Sequence, residues 1–187
     1  MASLASLTYP RLLTAEEFLQ IDFGPDLKAE LDDGVIRMIA GGTRAHARVQ
    51  ANLTITLGNA LSGSSCRPYG SDMAVRTRDR SVRYPDLTVD CGAPGDEPND
   101  LVLSDPRVIV EVLSPTTRDN DLKVKLVEYR GMASVDSIVL VDVEAEALAV
   151  HQRVDGNSTD AMFSNTIDLT LPSLGITIPR AEIFARG

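Results

Sequence analysis

The sequence predicts a mixed α/β domain, a sheet with helices packed on it, and two observations carry that expectation. Residues 108–113 (VIVEVL) are apolar at every position but one, and residues 137–143 (SIVLVDV) are nearly so. Runs of this kind suit strands covered on both faces. Between them, residues from about 119 to 130 read as a helix. Strand, helix, strand is a crossover unit, expected to be parallel and right-handed. The chain has 187 residues, a length for one domain spanning 1–187 that can bury a core without staples.

The other elements follow in order. Thr14-Ala15-Glu16-Glu17 is a capping box ahead of Phe18 and Leu19 and opens a first helix. Residues 28–32 and 35–39 flank Asp33-Gly34, a dipeptide that tolerates the positive φ of a tight turn, so they form a hairpin. A longer helix runs from about 43 to 61, with Val49, Leu53, Leu57 and Leu61 on one stripe, and Ser62-Gly63-Ser64-Ser65 ends it. Extended runs follow at 66–69, 72–76 and 82–90. Residues 91–100 (CGAPGDEPND) read as a surface loop. The tail from 148 to 184 alternates apolar and polar residues around Asp155-Gly156-Asn157 and reads as further strands.

Composition limits the function classes. Hydrophobic residues at 43% exclude wholesale disorder. Lys plus Arg number 18 and Asp plus Glu 27, a net charge of −9. That balance argues against strong non-specific nucleic-acid binding, which needs cations against phosphate. It leaves room for an enzyme that brings metal ions into an acidic site. Cys66 and Cys91 are far apart in the chain and in no paired motif, which excludes a disulfide scaffold or a four-Cys zinc site and fits a reducing compartment. No apolar run approaches the roughly 18 residues of a membrane span, and the N-terminus lacks the pattern of a signal peptide. A soluble cytoplasmic protein with no membrane partner is expected.

Three residues stand out chemically. Glu111 lies inside VIVEVL, on the strand face of Ile109 and Leu113. A lone carboxylate there is expensive unless a cation, a proton or hydrogen bonds compensate. Asp86, in Tyr84-Pro85-Asp86-Leu87, belongs near a strand end, since proline suits the edge or start of a strand. Its plainer reading is a turn or cap residue. Leu122, Leu126 and Tyr129 form the core-facing stripe of the helix at 119–130, and Lys125 falls within it, needing an anion unless it snorkels out. Lys123 points elsewhere and competes with it, because Val124 and Val127 make the far face partly apolar too. Two carboxylates on neighbouring strands can bind one hard divalent cation, which acidifies water and offsets phosphate charge, and a nearby Lys can stabilise an anionic transition state. Together they point to metal-dependent phosphodiester hydrolysis.

Pro85-Asp86 followed by Val110-Glu111-Val112 resembles the PD-(D/E)XK nuclease superfamily. More closely, the chain resembles the Uma-two family of restriction-endonuclease-like proteins. The matching stretches are Glu30-Leu31-Asp32-Asp33-Gly34, His46 early in a helix, Arg83-Tyr84-Pro85-Asp86-Leu87, EVLSPTTRD from Glu111 to Asp119, Lys125, Tyr129, and Val139-Leu140-Val141-Asp142. They cover about residues 12–150. The resemblance implies a restriction-endonuclease-like core, a mixed central β-sheet flanked by helices, here with additional N- and C-terminal strands. It implies Asp86 and Glu111 as Mg²⁺ ligands with the Val112 carbonyl as a further one, Mn²⁺ as a substitute, DNA as substrate, and no organic cofactor. The superfamily Lys two residues after the Glu is Leu113 here. In the Uma-type pattern a helix Lys takes its place, assigned to Lys125, 125 − 111 = 14 residues on.

Glu30 and His46 match recurrent family positions, as a further acidic residue and as a phosphate contact or base. Their plainer readings are a surface strand Glu and a helix-surface His. Ser114-Pro115-Thr116-Thr117 stops the strand, with Thr117 or Asp119 capping the next helix. Arg76, Arg78, Arg80 and Arg83 are the best local basic patch for a phosphate backbone, or else a solvated hairpin face. A homodimer is expected, since a duplex has two strands. Two other readings stand beside the Mg²⁺-dependent endonuclease: a catalytically inactive nuclease-like fold acting as a binding or assembly module, and a hydrolase of a small phosphoester.

Overall fold

A computed structural model describes residues 11–24, 27–39, 41–92, 100–115 and 118–186. The crossover unit is the centre of the fold. Strands β7 (Pro106–Leu113) and β8 (Ser137–Asp142) pair in parallel with Glu111 beside Leu140. They sit inside a six-stranded sheet of order β10-β9-β8-β7-β6-β3, whose other pairs are antiparallel. The further members are β3 (Arg67–Gly70), β6 (Leu87–Asp90), β9 (Ala147–Val154) and β10 (Asn157–Ser158). A second, antiparallel sheet has the order β2-β1-β5-β4, from β1 (Lys28–Asp32), β2 (Val35–Ile39), β4 (Val75–Arg78) and β5 (Ser81–Arg83). Strands β11 (Leu169–Leu171) and β12 (Ile176–Ile178) form a small hairpin near the C-terminus.

Local chemistry explains the early elements. Thr14 caps α1 (Ala15–Leu19), its hydroxyl accepting from the Glu17 N–H while the Glu17 carboxylate accepts from the Thr14 N–H. Asp33 and Gly34 both take positive φ, 45° and 85°, in the β1–β2 turn. Helix α2 (Arg44–Ala60) is capped by Thr43 and buries Val49, Leu53 and Leu57. These side chains pack on Val108, Val110 and Val112, one face of β7. The opposite face carries Ile109, with Ile138 and Leu140 of β8, against Leu126 and Tyr129 of the crossover helix. Glu111 belongs to that second face by strand alternation.

Three elements differ from the expectations. The run at 82–90 is two strands: β5 ends at Arg83 and β6 starts at Leu87, in different sheets. Pro85 has no N–H for a ladder, so the chain changes sheets there. The crossover helix, α3, is α-helical over Arg118–Asn120, π-helical over Asp121–Lys125 and α-helical again over Leu126–Arg130. The Leu126 N–H reaches the Asp121 carbonyl, one residue further back than an α-helix allows. The tail ends in a short helix, α4 (Arg180–Ile183), besides the expected strands. The candidate cap Thr117 and most of the loop at 91–100 lie outside the described residues. Among the described residues, no helix is long and apolar enough to cross a membrane.

Cys66 and Cys91 are joined in a disulfide, which corrects the reading of two unpaired thiols. Their 25-residue separation hides the reason. Strands β3 and β6 pair antiparallel with Arg67 opposite Asp90, so the flanking cysteines face each other. A cross-link closing a loop of 25 residues stabilises by about 3.5 kcal/mol on the chain-entropy account. The double variant C66S/C91S is therefore expected to lose about that much stability in urea unfolding. No difference between it and the oxidised wild type would show that the cross-link constrains little.

His151 on β9 is buried, with its Nδ1 2.8 Å from the Arg130 Nη2 and 3.0 Å from the Thr159 carbonyl oxygen. Burial and the Arg130 charge hold its pKa below the usual histidine value. The native state thus binds fewer protons at this ring than the unfolded chain does. The stability this contributes is complete above the unfolded value near 6.5 and is lost as pH falls below it toward the folded pKa. H151Q is expected to show a smaller drop in unfolding midpoint between pH 7 and pH 5 than wild type. An equal drop in both would place the acid sensitivity elsewhere.

Candidate active site

The structure gathers the singled-out residues at the seam between the two sheets. The β6–β7 register sets Leu87 opposite Val110, so Asp86, one step before, comes level with the end of β7. Its Oδ2 accepts the Val112 N–H at 2.7 Å. Its Oδ1 lies 2.9 Å from the His46 Nε2, and its backbone carbonyl accepts from the Gln50 side chain at 2.6 Å. His46 and Gln50 are one turn apart on α2, so a single helix face holds Asp86 from both sides. The hydrogen bond to Asp86 raises the His46 pKa against the opposing effect of burial.

Glu111 is buried, with 3% of its surface exposed. Its Oε1 accepts from the Tyr129 hydroxyl at 2.6 Å and from the Lys125 ammonium at 3.2 Å. Burial pushes its pKa up; the Lys125 charge opposes this, and Asp121, Asp86 and Glu30 reinforce it. Lys125 also lies 3.0 Å from Glu30 Oε1 and 3.3 Å from Asp121 Oδ1. Burial works against its charge, but Glu111, Glu30 and Asp121 outweigh it and its pKa rises. Burial and the Glu111 charge likewise hold the Tyr129 hydroxyl protonated. Lys123 is exposed and pairs with Asp119 at 2.8 Å, away from the carboxylates. Val127, on the blurred far face, is 53% exposed, which leaves Lys125 on the buried side.

Glu30 reaches the cluster from the other sheet. It is buried, its Oε1 accepting the Tyr84 N–H at 3.2 Å and its Oε2 facing Arg83 at 3.4 Å. The expected arginine patch loses one member: Arg76, Arg78 and Arg80 are exposed, Arg76 pairing with Glu16 and Asp79, but Arg83 is fully buried. Strand alternation is the reason: Arg83 points into the seam, where Glu30, Asp32 and Glu128 surround it.

Sequence reasoning missed Asp121, Gln50, Glu128 and the inward direction of Arg83. Asp121 lies four residues before Lys125, and Gln50 four after His46, so the helical spacing held a signal for both.

A cleft of about 430 Å³ opens over the cluster, lined among others by Lys28, Glu30, His46, Asp86, Glu111 and Lys125. Six carboxylates (Glu30, Asp32, Asp86, Glu111, Asp121 and Glu128) share this region with two buried permanent cations, Arg83 and Lys125, and with the exposed Arg37, which pairs with Asp32. Such a deficit of positive charge needs protons or a further cation. The donor set therefore fits a hard divalent ion, because each oxygen of an ionised carboxylate keeps lone pairs beyond one hydrogen bond. Among the described residues no three His, Cys, Asp or Glu side chains are arranged to hold a metal by themselves.

Lys125→Ala would leave Glu30, Glu111 and Asp121 without their shared cation. The expected cost is about 3–5 kcal/mol at neutral pH, read by urea unfolding. A cost under about 1 kcal/mol would mean that the exposed, solvent-screened regime applies instead.

Comparisons with known proteins agree with this architecture. The Uma2 family model, described as "Putative restriction endonuclease", matches residues 15–180. The uncharacterized protein slr1290 of Synechocystis sp. is 27% identical over 190 residues, covering 100% of this chain and 98% of its own length. The uncharacterized protein sll1609 of the same organism is 29% identical over 146 residues, 77% of this chain and 82% of its own. The fold is similar to the crystal structure of "a putative nuclease belonging to DUF820" from Anabaena variabilis, with a TM-score of 0.77 over 92% of this chain and 98% of that one, at 15% identity. With the family match running from the first helix to the start of the last, the chain belongs to the Uma2 family of restriction-endonuclease-like proteins.

Proposed function

We propose that this protein is an endonuclease that hydrolyses DNA phosphodiester bonds with Mg²⁺, or Mn²⁺ in its place. The observation that supports the reading best is Lys125, whose buried ammonium lies 3.0 Å from Glu30 and 3.2 Å from Glu111, beside Asp86 at the cleft floor.

Asp86 and Glu111, with the Val112 carbonyl, would hold the cation. When bound, it would acidify water and offset charge on the phosphate. The chain's own groups do the rest. The Val112 N–H and His46 fix both oxygens of Asp86, and Gln50 fixes its backbone. The Tyr129 hydroxyl fixes Glu111 and stays protonated to do so. Lys125 holds a permanent positive charge at the floor, where a reacting phosphate gains negative charge. The surplus of carboxylates repels DNA until a cation neutralises it, so substrate binding and metal binding are coupled. Two copies acting together would account for both strands of a duplex.

Purified protein is expected to nick plasmid with Mg²⁺ or Mn²⁺ and not in EDTA. D86N and E111Q should lower the rate by more than the roughly 10–100-fold that loss of an outer-shell partner brings. Mn²⁺ at about 100 times its Kd should stabilise wild type by about 2.7 kcal/mol, and E111Q much less. Cleavage equal in wild type and variants would reveal a contaminant and remove the site. No cleavage and no Mn²⁺ stabilisation would favour the assembly module, for which the net charge of −9 is the supporting feature. Activity on a chromogenic phosphodiester but not on plasmid would favour the small-phosphoester hydrolase.

A further inference from the structure

We propose that Arg83 is the residue that positions Lys125. Its consequence for catalysis rests on the nuclease reading above; the positioning itself does not.

Arg83 is by volume the largest fully buried side chain among the described residues. A guanidinium in the interior is tolerated only when its donors are matched. Here its Nε and Nη2 each lie 2.8 Å from a different oxygen of Glu128, a two-point fork. Nη2 also reaches Asp32 at 2.7 Å, and Nη1 faces Glu30 Oε2 at 3.4 Å. The Thr77 hydroxyl closes the set, donating to Glu128 at 2.8 Å.

Both ends of this arrangement lead to Lys125. Glu128 follows Lys125 by three residues on α3, so the two are neighbours on one helix. Glu30 turns its other oxygen to the Lys125 ammonium at 3.0 Å. One guanidinium thus grips the helix that carries Lys125 and the carboxylate that Lys125 faces. A lysine ammonium on a flexible four-carbon stem has wide rotamer freedom and a tendency to extend toward water. The planar fork on Glu128 restricts rotation of α3 about its axis, which a single contact does not. Arg83 touches no reacting group; it acts through Glu128 and, at longer range, through Glu30.

The chain has only three lysines, Lys28, Lys123 and Lys125, and the first two are exposed. Ammonium-selective ¹H–¹⁵N spectra of lysine-labelled protein can therefore isolate Lys125. Wild type is expected to show one slowly exchanging ammonium signal, absent in Lys125→Arg. In R83Q and in E128Q, exchange of that signal with water is expected to rise about tenfold, the scale of one lost hydrogen bond. The double variant R83Q/E128Q should exchange no faster than either single one, because the fork is a unit. E128Q retains the shape of the site and serves if R83Q fails to fold. A merely structural Arg83 lowers the unfolding midpoint and leaves this signal unchanged; that result in folded E128Q and R83Q would overturn the proposal. Additive effects in the double variant would overturn it too. On plasmid, the variants should lower kcat with KM unchanged. A wild type that neither cleaves nor is stabilised by Mn²⁺ refutes the nuclease reading, and the ammonium signal still decides the role of Arg83.

Discussion

The structure depends on one electrostatic constraint: six carboxylates are brought to one seam and, among the described residues, only two permanent cations, Arg83 and Lys125, are buried there. Everything near the seam can be read as a response. Tyr129 and Lys125 converge on Glu111, His46 and the Val112 N–H on Asp86, and Arg83 on Glu30, Asp32 and Glu128. Buried ion networks are weak sources of net stability, because desolvation offsets most of the attraction. A fold that keeps such a cluster gives up stability that an apolar seam would have had.

The apolar scaffold makes the cluster tenable. Valines on one face of β7 pack under α2, while the alternate face presents Ile109 and Glu111 toward α3. The parallel β7–β8 pair lies in the middle of the larger sheet, so Glu111 is shielded by strands on both sides and by a helix above. The same shielding that raises its pKa makes any compensating charge strongly felt.

Much of this was legible in the sequence, for physical reasons that can be named. The β1–β2 hairpin was visible because Asp33-Gly34 is a local steric signal, and α2 because its leucines repeat with the helical period. Glu111 announced itself as a charge in an apolar run. Lys125 followed from helical phase, although the π-turn at Asp121–Lys125 alters that phase; the residues beyond it, Leu126 and Tyr129, are the ones that stay on the buried side. Arg83 was misread because its burial depends on a pairing of distant strands, with Leu31 beside Val82. The Cys66–Cys91 pair was hidden in the same way. Local signals reveal elements; pairings between strands distant in the chain have no local signal.

Tyr84-Pro85-Asp86 has a mechanical role as well as a chemical one. The chain leaves one sheet at Arg83 and enters the other at Leu87. The tripeptide is thus a pivot, and Asp86 rides on it. Glu111 and Glu30 sit on the two plates on either side, while Lys125 bridges them. A change in the angle between the plates would therefore have to work against two contacts on one helix, Lys125 with Glu30 and Glu128 with Arg83.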